Sequence, residues 1–258
     1  MNIYIMVDIE GISGIYTREQ TKKDGLYFEE GRDYITAEVN ACAEACLEAG
    51  VERVYVRDAH NNGSFIRWER LSPAVDRIVK GGAGYLVRFA DLSDCDGVIL
   101  LGYHAMAGVA EAVISHTMDL DNHYYVNGVE FGEIAIDAAL ATEQYGKPIL
   151  MVSGDDKACA EAERFLPWVT TCPVKRGLDF DKAVLLSPAR AHALIREKTI
   201  EAIGRLGEAR LFPLTAPVTV EQTVPESPRR RGVGSTLTEA LLNRKRIEEP
   251  INQKGEPQ

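Results

Sequence analysis

Five side chains in this sequence are of the types that hold divalent metal: Asp8 and Glu10 in VDIEG, His60 in RDAH, His104 in LGYHA, and Glu133 at the close of HYYVNGVEFGE. Imidazole and carboxylate together suit zinc or a similar ion. Two histidines and three carboxylates exceed the needs of one tetrahedral ion. They suit a pair of ions about 3.5–4 Å apart, with one carboxylate shared between them. Carboxylates packed together also require cations, because like charges otherwise shift their pKa values and neutralise. Taken singly, each residue has a plainer reading. Asp8 could cap a turn, Glu10 could be solvated, and a histidine could be a hydrogen-bonded core residue. Their joint placement favours the metal reading.

That placement follows from the elements around them. Met1 to Gly14 begins as a strand with Ile3, Ile5 and Val7 on one face and Tyr4 and Met6 on the other. Apolar residues on both faces mark a central strand of a parallel sheet. Asp8 and Glu10, two residues apart, point the same way in extended chain. Gly11 and Gly14 then let the backbone turn. RVYVR (53–57) and GVILLGY (97–103) read as two more strands, ending close to His60 and His104. Three strands thus deliver four of the residues to one rim, where open α/β sheets bind ligands. In 123–133, Asn127-Gly128 joins two alternating arms into a hairpin. Glu133 leaves that hairpin and opens an alanine-rich helix to Gln144, within reach of the same rim.

The rest of the chain alternates in the same manner. Helices are expected over 37–49, 71–79, 155–165 and 188–206, with strands at 148–152, 169–174 and 218–224. Residues 17–32 read as a long loop near the site. The expected architecture is α/β: a mostly parallel central sheet flanked by helices, with a β-hairpin insertion near the site. Residues 1–224 form a single domain in this reading. Residues 225–258 form a divergent, solvated tail with one possible helix near 237–247.

Composition bounds the function. The formal charge of -10 over 258 residues argues against a nucleic-acid-binding surface. No apolar run reaches membrane-spanning length. Met1 leads into a core strand without a basic leader, so a cytoplasmic location is expected. The five cysteines are scattered without zinc-ribbon spacing and read as buried thiols in a reducing compartment. Asp155 and Asp156 read as helix caps. Asp58 could orient His60 or be exposed, Asn61 could meet substrate, and His123 and His192 read as structural.

VDIEGISG (7–14), RDAH (57–60), LGYHA (101–105), ISHTM (114–118) and the closing GE (132–133) together closely resemble the D-aminopeptidase family of binuclear zinc metallopeptidases. The resemblance runs from Met1 to about residue 222. It implies two zinc ions per chain held by Asp8, Glu10, His60, His104 and Glu133, with Asp8 bridging. It implies that His116 is the catalytic histidine, as general acid/base or transition-state stabiliser. The implied substrates are short peptides with an N-terminal D-residue, D-alanyl peptides among them, opened by a zinc-activated water. The implied assembly is a homo-oligomer, a decameric ring enclosing its active sites. After Val224 the chain departs from the family pattern, which bears on that assembly more than on the upstream ligands. Two alternatives stand beside this reading. One is another two-metal hydrolase, an amidohydrolase or phosphoesterase. The other is an inactive metal-binding assembly protein.

Overall fold

The computed structural model describes residues 1–82 and 84–247. Seven strands form the main sheet: β1 (Asn2–Val7), β2 (Arg53–Asp58), β3 (Arg77–Val79), β4 (Gly97–Tyr103), β7 (Ile149–Asp155), β8 (Thr170–Asp179) and β9 (Lys182–Leu185). Their order is β3-β2-β1-β4-β7-β8-β9. Every neighbouring pair is parallel except β8 and β9. The chain leaves β1 toward β2 on one side and later fills the other side with β4. Between β1 and β4 the winding reverses, which makes that gap the crevice of the sheet. Register aligns the strand ends: Val7 lies opposite both Asp58 and Leu101. Whatever follows these strands must therefore emerge together.

Both faces of the sheet are covered, as the apolar runs require. Ile3, Ile5 and Val7 pack with Ile35, Val39 and Cys42 of α1 (Phe28–Glu48) and with Ala191 and Ile195 of α4 (Pro188–Gly204). Tyr4 and Met6 face the opposite layer, built from α2 (Glu133–Tyr145), α3 (Asp156–Phe165) and a second sheet. The five cysteines are all buried and free, as expected for structural thiols.

The expected hairpin is present as β5 (His123–Val126) and β6 (Val129–Phe131). Asn127 and Gly128 both take positive φ, 49° and 81°, which is what a two-residue hairpin with matching twist needs. It is not an isolated insertion. It forms the edge of a five-stranded sheet with β10 (Val218–Val224), β11 (Ser227–Gly234) and β12 (Lys245–Arg246), in the order β12-β11-β10-β5-β6.

Three expectations are corrected. Residues 225–246 are not a solvated tail. They form β11, the helix α5 (Leu237–Leu242) and β12, with Leu237, Ala240 and Leu241 in the core. Arg244 anchors them: its guanidinium lies 5.0 Å over the Tyr124 ring and donates to Gln222 Oε1 at 2.8 Å. The polar end, 248–258, lies outside the described residues. Over 71–79 there is no helix. Pro73 interrupts the start, and Asp76 pins the segment to the sheet edge by accepting from Val54 N–H at 2.8 Å, so Arg77–Val79 become β3. The expected loop 17–32 holds a short 3₁₀ turn at Arg18–Gln20 and the start of α1, whose first turn carries Glu29 and Glu30 where the helix dipole favours acids.

Candidate metal centre

Asp8, Glu10, His60, His104 and Glu133 converge on the crevice between β1 and β4, and all are buried. Asp8 lies at the centre. Its Oδ1 is 3.0 Å from His60 Nδ1, and its Oδ2 is 3.3 Å from His104 Nε2. Glu10 Oε2 stands 3.1 Å from the same His60 nitrogen, and Glu133 Oε1 stands 3.4 Å from the same His104 nitrogen. One carboxylate thus turns an oxygen to each of two clusters.

Backbone carbonyls set the histidine tautomers. A carbonyl can only accept, so His60 Nε2 donates to Thr21 O at 2.9 Å, and the Asn61 side-chain amide, 2.7 Å from the same nitrogen, turns its oxygen to it in that tautomer. Likewise His104 Nδ1 donates to Ala105 O at 3.0 Å, and His116 Nδ1 to Ile114 O at 2.8 Å. The remaining nitrogen of His60 and of His104 faces carboxylate oxygens, an acceptor against acceptors unless a proton or a cation lies between. His104 Nε2 and Glu10 Oε2 are buried without a hydrogen-bond partner. Such orphaned donor-set atoms, gathered with carboxylates at one point, fit a metal ion. Two sets of ligand atoms lie close enough for one ion: Asp8 with Glu10 and His104, and Glu133 with His104 and His116.

The charges are strongly linked. Burial opposes ionisation of Asp8, but hydrogen bonds to His104 and His60 outweigh it and hold its carboxyl well below the usual range. Burial also opposes charge on Glu133, yet His104 draws it down to about 2. Burial works against the two ring cations, and the facing carboxylates raise both His60 and His104 well above 6.5. Protons held this tightly occupy positions that a divalent ion would take.

His116 comes from the loop between β4 and β5, where Ile114 (φ 49°) and Met118 (φ 66°) both adopt left-handed backbone. Its ring stacks on His104, centroids 3.9 Å apart and nearly parallel at 11°. Its side chain is 14% exposed against 1% for His104, so it is the ring that looks into the cleft. That cleft, of about 690 Å³, is lined by Asp8, His60, Arg88, Tyr103, His116 and Glu133 among others.

Residues 1–231 match the peptidase family M55, described as D-aminopeptidase. The chain belongs to the D-aminopeptidase family. A D-aminopeptidase of Bacillus subtilis (strain 168) is 36% identical over 222 residues, covering 84% of this chain and 78% of that protein. Among solved structures, the Zn-dependent D-aminopeptidase DppA from Bacillus subtilis, a self-compartmentalizing protease, matches with a TM-score of 0.86 and 30% identity, over 94% of this chain and 95% of that one.

In this member of the D-aminopeptidase family, supporting residues carry less sequence signal than the ligand candidates. Arg88 donates from Nη2 to Glu133 Oε2 at 3.1 Å and clamps Asp137, which Tyr103 Oη also reaches at 2.6 Å. Asp137 follows Glu133 by one helical turn, a spacing legible in the sequence, but Arg88 is remote and unmarked. Lys175 of β8 is buried and donates to the carbonyls of Glu10, Ile12 and Ile15 at 2.5, 2.9 and 2.7 Å. A lone lysine in a strand gave no hint of that. Asp58 does not orient His60. It is fully buried and accepts from Ile66 N–H and Lys80 Nζ, while Thr21 holds the ring. Asp155 caps α3 as expected, and its second oxygen also accepts from Val113 N–H, tying down the His116 loop. His123 pairs with Glu130 across the hairpin, and His192 lies half-buried on α4, both away from the rim.

Proposed function

We infer that this chain is a zinc-dependent D-aminopeptidase that releases N-terminal D-residues from short peptides. The observation that carries the reading is Asp8 offering one oxygen to the His60–Glu10 side and the other to the His104–Glu133 side, in a chain of this family. Asp8, Glu10, His60, His104 and Glu133 would hold the two ions between them, with Asp8 the carboxylate shared by both. Zinc so held acts as a Lewis acid toward a peptide carbonyl and brings the pKa of water toward neutrality.

The protein's own groups supply the rest. His116, its Nδ1 committed to Ile114 O, turns Nε2 toward the cleft, 3.8 Å from Glu133 Oε1, where it would carry a proton to the departing amine. Stacking on His104 fixes the plane of that ring. Met118 N–H donates to Glu133 Oε1 at 2.8 Å and Arg88 holds the other oxygen, so Glu133 cannot rotate away. Assembly into a closed oligomer, a decameric ring, is supported by the self-compartmentalizing relative and by the exposed apolar side chains Leu26, Trp68 and Leu86. The free thiols favour a reducing cytoplasm.

Hydrolysis of D-alanyl-D-alanine and L-alanyl-L-alanine by the zinc-loaded protein, beside His116→Ala, tests the reaction. Release of alanine from the D-peptide alone, lost in the variant while zinc content holds, supports it. Equal turnover of both peptides, or none with zinc bound, overturns it. Light-scattering mass in solution tests the ring, and a monomer would remove it.

A further inference from the structure

A second cleft opens on the metal rim. It has a volume of about 450 Å³ and reaches Glu10, Arg18, Thr21, Ile114, Asp119 and Leu120. Lys22, His60, Asn61, His116 and Met118 border both clefts, so the two meet along the line where His116 stands. A peptide cut beside His116 must lie across this line, with its N-terminal residue on one side and the departing residue on the other. This step rests on the aminopeptidase reading above.

The charge of the second cleft is uneven. Arg18 is exposed, and among the described residues no carboxylate forms an ion pair with it. The adjacent acid, Glu19, is committed elsewhere: Oε1 pairs with Lys22 at 3.0 Å and Oε2 accepts from Leu26 N–H at 3.1 Å. Asp119, on the same cleft, turns toward Asn122 Nδ2 at 3.4 Å. Arg18 is therefore a cation with open donors in the second cleft, across the His116 line from the first.

The turn that carries Arg18 is rigid and coupled to the metal rim. Gln20 is fully buried; its Oε1 accepts from Tyr16 N–H at 3.0 Å and Thr17 N–H at 3.3 Å, and its Nε2 donates to Gly14 O at 3.1 Å. The next residue, Thr21, provides the carbonyl that holds His60. A displacement of this turn would move Arg18 and the His60 ring together.

We propose that Arg18 binds the free C-terminal carboxylate of the departing residue, so that unblocked dipeptides are the favoured substrates. A guanidinium fork matches a carboxylate with two parallel hydrogen bonds. In a dipeptide that carboxylate lies one residue beyond the scissile bond. Each added residue moves it outward by roughly 3.5 Å, away from a side chain whose backbone the Gln20 turn holds in place.

The experiment compares D-alanyl-D-alanine with its C-terminal amide on zinc-loaded wild type, Arg18→Met and Arg18→Lys. Steady-state kinetics are read beside calorimetric binding of both peptides to His116→Ala whose zinc content has been measured equal to that of wild type. The wild type is expected to favour the free acid about tenfold, expressed in KM, as a partly exposed charge-assisted bond implies. Arg18→Met should bring the acid down to the level of the amide, and Arg18→Lys should recover part of the difference. Equal use of acid and amide by the wild type overturns the proposal. So does an equal loss on both peptides in Arg18→Met. If no peptide is cleaved but calorimetry keeps the acid preference in an Arg18-dependent manner, the carboxylate site stands and the reaction reading falls. Absence of binding removes the carboxylate site.

Discussion

Lys175 enters the interior as a cation and finds three carbonyls of the Glu10–Ile15 turn waiting for its three N–H bonds. The residue carries no reacting atom, yet it determines where Glu10 stands. Replacing it by Met leaves buried carbonyls without their donor, at a cost of about 3 kcal/mol. We expect Lys175→Met to lower the denaturation midpoint and to weaken zinc binding through Glu10, which chelator titration of bound zinc would reveal. Retention of both ions at full affinity would refute the positioning role. Glu161 of α3 gives a pH signature. It accepts from Met106 N–H at 2.7 Å while Oε1 is buried without a partner, and burial raises its pKa from 4.5 to about 7. Between those values the folded state holds a proton that the unfolded chain has released. The stability from this group is therefore present below pH 4.5 and is lost as pH rises through about 7. Wild type should lose stability relative to Glu161→Gln between pH 5 and pH 8, as paired denaturant curves at the two pH values would show. Parallel curves would disprove it.

At the scale of elements, the second sheet matters most. β11 carries Arg229, Arg230 and Arg231 yet pairs with β10 in register, Arg231 opposite Glu221 at 3.7 Å. Its charges face outward, and burial is supplied by α5 and by Arg244, which stacks over Tyr85 and Tyr124. Arg244→Ala should cost about 1–2 kcal/mol through the lost stacking and the Gln222 bond. Protease cleavage near 235–247 should accelerate in that variant, because the final helix and strand lose their clamp. An unchanged cleavage pattern would mean that the apolar side of α5 suffices. The junction from β6 to α2 obeys similar geometry. Gly132 has no room for a side chain, since a Cβ there would lie 2.2 Å from Glu161 Oε1 and 2.8 Å from Met106 Cβ. That tight approach is what brings Glu133 up to His104.

For the whole molecule, the metal centre is a knot in a stability network. Asp8, Glu10 and Glu133 are buried together, and without ions the strongly held protons of His60 and His104, with Arg88 on Glu133, are the cations that face them. Removing zinc should lower the thermal midpoint, and readdition should restore it. At free zinc a hundredfold above Kd, a bound ion adds about 2.7 kcal/mol to stability. Differential scanning calorimetry against zinc concentration reads this directly, and a midpoint indifferent to zinc would exclude the two-ion assignment. Among the described residues no helix is long and apolar enough to cross a membrane.

The sequence by itself determined the central strands β1, β2, β4 and β7, the rim they end on and the residue types gathered there. A buried parallel strand declares itself by its unbroken apolar run, and residues that follow such strands in register must meet. Asp8, His60 and His104 were legible for that reason, and Asn127-Gly128 was legible because few dipeptides accept two positive φ angles. Only the tertiary structure decided how Asp8 divides its oxygens, which nitrogen of each ring is free, and that Lys175 and Arg88 secure the acids. Those depend on contacts between residues far apart in the chain, where no periodicity points. The order in 225–246 was hidden for a related reason. Its few apolar anchors acquire a partner only once β5, β10 and α2 have folded beside them.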